Sequence, residues 1–271
     1  MPELPEVETT RRGIAPHIAG RRLQHLAVHE PRLRWPVEPG IATATDGQLI
    51  TGVRRRAKYL LVDLQRGSLL LHLGMSGSLR VLPADAPRRT HDHVDLLLDS
   101  GQTLRFNDPR RFGSLHWLTG DVMAHPLLAA LGPEPLEDQF DGAYLYSRCR
   151  ERRVAIKQHI MNSHVVVGVG NIYASEALFR AGIRPGRAAR SLTRAHCDAL
   201  AQSIREVLSM AIRSGGTTLR DYVGVDGSPG YFRQKLYVYE RADEPCRTCA
   251  TPIRHRVQGQ RATYYCTQCQ A

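Results

Sequence analysis

Lysine is nearly absent from this chain. Of its 37 basic residues, 34 are arginine and only three are lysine: Lys58, Lys157 and Lys235. Long apolar runs are also missing, since none reaches the roughly 18 residues of a membrane-spanning helix, and no signal peptide leads the chain. We therefore expect no membrane insertion and a cytoplasmic protein. In that reducing compartment the six cysteines are not expected to form disulfides.

The charge balance of the chain is strongly positive. Its 271 residues carry 26 Asp and Glu against 37 Lys and Arg, which gives a formal charge of +11. A surplus of this size favours a polyanion, either nucleic acid or an acidic membrane surface, and the lack of apolar spans favours nucleic acid. Lys58 follows three arginines, which indicates that an amine is wanted there, although chance explains the choice equally well.

The segment Met1–Glu8 admits two interpretations. Its Pro and Glu residues suit the first turn and the positive end of a helix, which predicts an amphipathic helix running to about Gly20. Removal of Met1 would instead leave Pro2 as a terminal secondary amine, and an α-amino group titrates at about 7.7–8.0. Such an amine can attack an electrophilic carbon as a Schiff-base lysine does, with the carboxylate of Glu3 beside it to move protons.

The order of the predicted elements indicates an α+β protein. Between Gln48 and Leu118 short apolar runs alternate with turn residues, which favours an antiparallel sandwich or barrel. The runs are Tyr59–Val62, Ser68–Leu73, Val94–Leu98 and Gly113–Leu118. Beyond Pro133–Pro135 the period becomes helical, and an apolar face between residues 200 and 212 predicts a helix with Thr193 as N-cap and Gly215 as stop. A glycine-rich loop is predicted at residues 217–231.

Four of the six cysteines form two Cys-x-x-Cys pairs with sixteen residues between the pairs: Cys246, Cys249, Cys266 and Cys269. This spacing favours a closed tetrahedral zinc site with four thiolate ligands, so the metal is expected to be structural. The turn at Gln258–Gln260 makes the segment a zinc-stapled hairpin, with Arg261 just past the turn where it can reach a phosphate. Cys149 and Cys197 fit no such pair and are expected to be ordinary helix residues.

Three glycine-bounded segments are candidates for contacts with nucleic acid. Gly168–Asn171 precedes a helical run, where backbone N–H groups suit a phosphate and Asn171 suits the N-cap, although a plain turn is the simpler interpretation. No Walker lysine follows, so nucleotide hydrolysis is not supported. Met75 lies between glycines, and Phe112 lies beside two arginines. Exposed apolar side chains amid positive charge match wedges that unstack a base step, although Met75 fills a core gap equally well.

Six segments together resemble the bacterial formamidopyrimidine-DNA glycosylase family over essentially the whole chain. They are Pro2–Glu8, Arg56–Tyr59, His72–Gly77, Asp108–Gly113, Val167–Glu176 and the four-cysteine hairpin. The resemblance implies an N-terminal antiparallel β-sandwich with flanking helices over residues 1–132. It also implies a helix–two-turn–helix DNA-binding domain over residues 133–235 and a zinc-finger hairpin over residues 236–271. The implied partner is double-stranded DNA containing oxidised purines, the implied cofactor is one structural zinc ion, and the implied state is a monomer at the bacterial nucleoid.

The resemblance also implies roles for individual residues. Family members excise 8-oxoguanine and formamidopyrimidines and then nick the abasic site by β,δ-elimination. Pro2 would be the nucleophile at C1′, and Glu3 would donate a proton to the opening sugar. Lys58 and Arg261 would be proton donors in the β- and δ-elimination steps. The residues implied in DNA binding are His72, Met75, His91, Arg110, Arg111, Phe112, Arg152 and Asn171, and those implied at the base pocket are Glu6, Thr217 and Tyr239.

Two alternative functions stay open on the sequence. The endonuclease-VIII-like branch removes oxidised pyrimidines with the same Pro–Glu chemistry, but it typically carries glycine where this chain has Leu4. A non-catalytic zinc DNA-binding protein, such as a regulator, explains the charge and the hairpin but leaves the Pro–Glu start and Lys58 without a purpose. The chain departs from the family at Glu240 and Asp243, where glycine is common. Carboxylates there are expected to weaken phosphate contact slightly or to stiffen the linker.

Overall fold

The computed structural model describes residues 2–216 and 236–271. The glycine-rich loop predicted at residues 217–231 therefore lies outside the described chain. The described residues belong to two compact units. The first contains residues 2–129 and 214–216, and the second contains residues 130–213 and 236–271. Within the described ranges, no helix combines the length and the apolar character that crossing a membrane requires.

Antiparallel strands and flanking helices build the first unit. The strands are β1 (Leu23–Val28), β2 (Ile50–Arg56), β3 (Tyr59–Leu64), β4 (Gly67–His72), β5 (Ser78–Pro83), β6 (Asp92–Leu98), β7 (Gln102–Asn107) and β8 (Ser114–Leu118). The helices are α1 (Leu4–Ile18), α2 (Ile41–Thr45) and α3 (Pro126–Ala129). One sheet has the order β1-β6-β7-β5 and the other has the order β2-β3-β4-β8. These two four-stranded sheets confirm the predicted sandwich, and α1 confirms the predicted first helix.

Apolar side chains from both sheets and from α1 form one core. Strands β3 and β4 are buried along most of their length, and Tyr59 lies opposite His72 in their register. Helix α1 adds Val7, Ile14 and Ile18 to the same cluster. Because this packing fixes α1 against the sheets, it also fixes the residues at the N-terminal end of the helix.

Strand β1 lies before Gln48, where the sequence pattern predicts no strand. Only Leu23 and Leu26 of β1 are fully buried, and the pairing with β6 shifts register between Leu23 and His25. A bulge of this kind interrupts the alternation of apolar and polar residues that identifies a strand in sequence. The period-two signal is therefore too short to be recognised.

Helices and one hairpin build the second unit. The helices are α4 (Gly142–Cys149), α5 (Ile156–Ile160), α6 (Asn171–Arg180) and α7 (Arg194–Arg213), and the hairpin strands are β9 (Arg254–Gln258) and β10 (Arg261–Tyr265). The hydroxyl of Thr193 accepts the His196 N–H at 3.3 Å, which confirms the predicted start of α7. A Cβ on Gly142 would lie 2.5 Å from the Cα of Asp198, so glycine is required where α4 crosses α7.

The start of α6 corrects one expectation. Gly170 is the N-cap residue, whereas Asn171 is already the first helical residue. The side-chain amide of Asn171 therefore does not cap the helix and donates instead to the carbonyl oxygen of Ala262 at 3.0 Å. Residue preferences at helix ends are local, and a hydrogen bond to the distant hairpin has overridden them here.

The two cysteines outside the zinc motif are buried helix residues, but they are not without partners. Cys149 ends α4 and Cys197 lies in α7, and both are free thiols. Their thiols share a hydrogen bond, which together with burial raises the pKa of Cys149. Sequence spacing gave no sign of this contact because it depends on how α4 packs on α7.

Candidate active site and zinc centre

The N-terminal residues are held at the start of α1 by a capping arrangement. Pro2 is buried, and Glu3 is the N-cap residue. The Glu3 N–H donates to Oε2 of Glu6 at 2.9 Å, while the Glu3 carbonyl accepts the Val7 N–H at 3.1 Å. Both carboxylates are almost completely buried. The helix-start interpretation is therefore correct, and the same arrangement fixes the backbone that carries Pro2 and Glu3.

Glu8 links α1 to the turn that carries Lys58. Its carboxylate accepts from Arg11 and Arg12 of α1 at 2.8 Å each and from Arg55 of β2 at 3.2 Å. Burial alone would raise the pKa of Glu8, but these guanidinium groups outweigh it and lower that pKa to about 2. Arg55 also donates to the carbonyl oxygen of Ala57 at 3.0 Å. Ala57 has a left-handed φ of +55°, so this bond supports a strained turn immediately before Lys58.

The imidazole of His72 is held neutral beside Lys58. Burial and the positive charges of Lys58 and Arg34 lower the pKa of His72 to about 4. The Gly74 N–H donates to Nδ1 of His72 at 2.9 Å, so in the neutral ring the proton lies on Nε2. His72 therefore offers a hydrogen-bond donor without a charge. Such a donor suits a phosphate oxygen.

The segments around Met75 and Phe112 meet in the first unit. Phe112 is 42% exposed, and the guanidinium of Arg110 lies 4.9 Å from the centre of its ring. Met75 is half-buried on the neighbouring turn, so it is not an ordinary core residue. His91 and Arg111 are exposed and have left-handed φ values of +72° and +55°. Exposed apolar and basic groups are thus combined on turns, as the wedge interpretation requires.

Lys157 anchors the hairpin strand that begins at Arg261. Its side chain is buried, and Nζ donates to the carbonyl oxygen of Ala262 at 2.9 Å and to the hydroxyl of Thr263 at 2.8 Å. The Ala262 carbonyl also accepts from Asn171. Sequence reasoning missed Lys157, although it was one of only three lysines and so carried the same compositional signal as Lys58. Arg261 itself is exposed.

Glu176 of α6 fixes the chain that leads into the zinc hairpin. Its buried carboxylate accepts the backbone N–H groups of Tyr237, Val238 and Tyr239 at 2.8, 3.0 and 2.9 Å. Burial raises the pKa of Glu176 in spite of these three bonds. Sequence reasoning did not single out this residue, because its partners lie some sixty positions away. Tyr239 is thereby placed against Tyr264, with ring centres 5.3 Å apart.

The backbone conformation is unusual at the two linker positions where the chain departs from the family, Glu240 and Asp243. Glu240 and Asp243 have left-handed φ values of +56° and +63°. Glycine adopts this region without steric strain, whereas other residues are destabilised by about 1–2 kcal/mol. Both carboxylates therefore stand at positions where the backbone conformation favours glycine.

The four motif cysteines converge on one point. All four Sγ atoms lie within 4.8 Å of one another. The Cys246–Cys269 and Cys249–Cys266 sulfur pairs are 3.9 and 3.4 Å apart. A tetrahedron with Zn–S bonds of about 2.3 Å has edges of about 3.8 Å, so the cluster fits one zinc ion with no open coordination position. The adjoining turn places Gly259 and Gln260 at φ values of +55° and +59°, as a two-residue hairpin turn requires.

The predicted site residues are distributed over both units. The first unit contains Pro2, Glu3, Glu6, Lys58, His72, Met75, His91, Arg110, Arg111 and Phe112. The second contains Arg152, Asn171, Tyr239, Arg261 and the four cysteines. Arg152 is exposed. Thr217 lies outside the described residues.

Comparison with known proteins identifies the family. The formamidopyrimidine-DNA glycosylase N-terminal domain matches residues 1–115, its H2TH domain matches residues 131–223, and the zinc finger found in FPG and IleRS matches residues 243–271. The formamidopyrimidine-DNA glycosylase of Thioalkalivibrio sulfidiphilus is 64% identical over 270 residues, with 100% of both chains covered. That of Stenotrophomonas maltophilia is 57% identical over 271 residues, again with full coverage of both.

Solved structures agree with this assignment. MutM (Fpg) of Thermus thermophilus has a TM-score of 0.90 at 40% identity, with 99% of this chain and 98% of that chain covered. Lactococcus lactis Fpg in complex with abasic-site DNA has a TM-score of 0.92 at 33% identity and covers 99% of both chains. The same enzyme with Fapy-dG DNA has a TM-score of 0.91 at 32% identity and the same coverage.

The fold and the matches define a DNA repair glycosylase with a structural zinc finger. More narrowly, the chain belongs to the formamidopyrimidine-DNA glycosylase family. The predicted family, fold class and zinc site are confirmed. The alternative of a non-catalytic zinc regulator is thereby disfavoured.

Proposed function

We propose that this protein is a bifunctional glycosylase and AP lyase that removes 8-oxoguanine and formamidopyrimidines from duplex DNA. The observation that carries the proposal is the buried Pro2–Glu3 pair, whose backbone is fixed by Glu6 at the start of α1. Relatives of known structure provide the second support, since L. lactis Fpg forms complexes with Fapy-dG DNA and with abasic-site DNA.

In the glycosylase step Pro2 acts as the nucleophile once Met1 has been removed. The lone pair of its nitrogen forms a bond to C1′ of the damaged nucleotide, while the C1′–base bond breaks and its electron pair leaves with the base. The departing base takes up the N–H proton of Pro2, which restores a lone pair on the nitrogen. Glu3 then donates a proton to O4′, the C1′–O4′ bond opens, and that lone pair completes an iminium. The capped and buried backbone fixes the positions of Pro2 and Glu3. Less entropy is therefore lost in reaching the transition state than with a mobile nucleophile.

The lyase steps follow from the iminium. It acidifies the C2′ proton, which passes to water; the C3′–O bond then breaks in β-elimination, and the departing 3′ phosphate takes a proton from Lys58. In the δ-elimination that follows, the C4′ proton passes to water, the C5′–O bond breaks, and the departing 5′ phosphate takes a proton from Arg261. Lys58 lies on a turn supported by Arg55, and Arg261 begins a strand anchored by Lys157. Both proton donors are thus attached to rigid supports.

DNA is recognised through positive charge, through uncharged hydrogen-bond donors and through side chains that fill a gap in the duplex. The +11 surplus provides the sequence-independent attraction to phosphates. The Nε2–H of neutral His72 is directed to a phosphate, and further backbone contacts come from His91, Arg111, Arg152 and Asn171. Met75, Arg110 and Phe112 fill the gap left by the extruded nucleotide, which offsets the few kcal/mol that flipping costs. Glu6, Thr217 and Tyr239 border the base pocket. We further propose that the protein acts as a monomer in the bacterial cytoplasm.

Borohydride trapping tests the nucleophile. A duplex with one 8-oxoguanine opposite cytosine is incubated with the protein and reduced, after mass spectrometry has established that Met1 is absent. We expect a covalent adduct, and we expect it to disappear when one residue is added before Pro2, because acylation removes the amine. A protein with one residue added after Ala271 is the matched control and should retain the adduct. An adduct that persists in the N-terminally extended protein would identify a lysine as the nucleophile.

The choice of substrate is tested separately. Excision rates are compared on duplexes that contain 8-oxoguanine or thymine glycol. Faster release of 8-oxoguanine is expected, whereas faster release of thymine glycol would assign the protein to the endonuclease-VIII-like alternative.

A further inference from the structure

Asp108 lies completely buried between the turn of Met75 and the turn of Phe112. One carboxylate oxygen, Oδ1, accepts from the Ser76 hydroxyl at 2.8 Å and from the Arg110 N–H at 3.3 Å. The other oxygen, Oδ2, accepts the Gly113 N–H at 2.8 Å. A single carboxylate therefore bonds the residue that follows Met75 and both residues that flank the Arg111–Phe112 pair.

The two turns are also in direct backbone contact. A Cβ on Gly74 would lie 2.5 Å from the Gly113 nitrogen, and a Cβ on Gly113 would lie 2.7 Å from the carbonyl oxygen of His72. Distances this short show that the two turns are packed directly against each other. The carboxylate of Asp108 therefore joins two segments that already fit together closely.

A third segment is attached to the backbone of Asp108. The Asp108 N–H donates to the carbonyl oxygen of His91 at 3.0 Å, and the Asp108 carbonyl oxygen lies 2.8 Å from Nε2 of His93. His91 is held in its left-handed conformation at this point. Asp108 thus connects all three turns of the first unit to which the proposed function assigns DNA contacts.

We propose that Asp108 is a positioning residue that makes Met75 and Phe112 act as one rigid wedge. The inference rests on the proposed function, in which both side chains fill the gap left by a flipped nucleotide. Two independent side chains would each have to be ordered on entering the duplex. A pair fixed beforehand loses less conformational freedom on binding, so the two contributions to affinity are coupled. Ser76 is the second member of this arrangement, since its hydroxyl attaches the Met75 turn to Asp108.

The chain contains a matched control for the Ser76–Asp108 bond. Ser68 is buried to the same degree as Ser76, and its hydroxyl donates to the carboxylate of Asp63 at 2.6 Å. This second pair links β3 and β4 away from the two turns. Ser76→Ala and Ser68→Ala therefore each remove one hydrogen bond from a buried serine to an aspartate, but only Ser76→Ala alters the wedge.

The test is a double-mutant cycle of Met75→Ala and Phe112→Ala. Affinity is measured at fixed salt for a duplex with a tetrahydrofuran abasic-site analogue, with 2-aminopurine opposite the analogue as the fluorescent reporter. In the otherwise unaltered protein we expect the combined loss of affinity to differ from the product of the single losses by about threefold or more. The same factor is expected in the Ser68→Ala background. In the Ser76→Ala background the losses should become multiplicative.

Two results would overturn the inference: equal coupling in the two serine backgrounds, or multiplicative losses in the otherwise unaltered protein. If Ser76→Ala does not fold, Asp108→Asn is compared with Asp63→Asn in the same cycle, because an amide can accept on one side only. The proposed function fails separately, if the unaltered protein shows no preference for the abasic-analogue duplex over undamaged DNA. The failure of the wedge and the failure of the function are therefore distinguishable.

Discussion

Replacing Glu8 by glutamine tests whether the guanidinium cluster on α1 stabilises the protein. Glu8→Gln keeps the size of the side chain but removes the charge that Arg11, Arg12 and Arg55 surround. In the folded protein the pKa of Glu8 lies at about 2 instead of 4.5, a difference of about 2.5. At about 1.36 kcal/mol for each pKa unit, this difference corresponds to at most about 3.4 kcal/mol.

Screening by solvent reduces this upper limit on the stabilisation. The side chains of Arg11 and Arg12 are 28% and 59% exposed, so water screens two of the three attractions. We therefore expect Glu8→Gln to lower the free energy of unfolding by about 1–2 kcal/mol at pH 7. The measurement is urea unfolding of both proteins at a series of pH values.

The pH dependence has a definite sign. Because folding lowers the pKa of Glu8, its carboxylate stabilises the protein fully above about pH 4.5 and loses that effect as the pH falls towards about 2. The difference between the two proteins should accordingly be constant from pH 7 to about 4.5 and should shrink below it.

Glu30 supplies the control. The side-chain and backbone hydrogen bonds from Arg32 also lower the pKa of Glu30 to about 2, but Arg32 is 76% exposed and the pair lies on the surface. Glu30→Gln should therefore cost much less stability than Glu8→Gln. Equal losses in the two variants, or a Glu8→Gln effect that does not change with pH, would refute the reasoning.

Two further outcomes are expected. Atomic absorption should find one zinc ion per chain. Cys266→Ser should lose this zinc, whereas the control Cys149→Ser, which lies outside the cluster, should retain it. Zinc retained by Cys266→Ser would contradict the four-thiolate site. Gly74→Ala should lower the free energy of unfolding by about 2–5 kcal/mol in denaturant titrations, because a left-handed φ is combined with backbone overlap. Gly101→Ala, with a similar φ of +75° but open space around it, should lose only about 1–2 kcal/mol, and equal losses would mean that the close contact at Gly74 is unimportant.

The sequence predicted those features whose signal is local. The cysteine spacing, the start of α7 at Thr193 and the apolar strands of the second sheet each depend on neighbouring residues, and the structure confirms them. The resemblance to a known family supplied the assignment of roles, which local patterns could not provide. The proposed roles of Pro2 and Glu3 stay predictions.

The contacts that the sequence did not predict join distant positions. Three strands, β5, β6 and β7, lie between Ser76 and Asp108 in the chain. Glu176 bonds a segment beyond α7, and Lys157 bonds the zinc hairpin about a hundred positions away. No periodicity or spacing relates such partners, because their proximity exists only in the folded chain. For the same reason Asn171, a good N-cap by residue type, bonds the hairpin instead.

The buried ammonium of Lys157 shows why one position of this chain holds lysine and not arginine. The space between the Ala262 carbonyl and the Thr263 hydroxyl accepts a compact group with diverging N–H bonds, whereas the flat, wider guanidinium of arginine does not present its donors in that way. In a chain with 34 arginines, the lysine at this position is therefore explained by the shape of the site that holds it. A rare lysine in an arginine-rich chain therefore deserves inspection as an anchor of the interior.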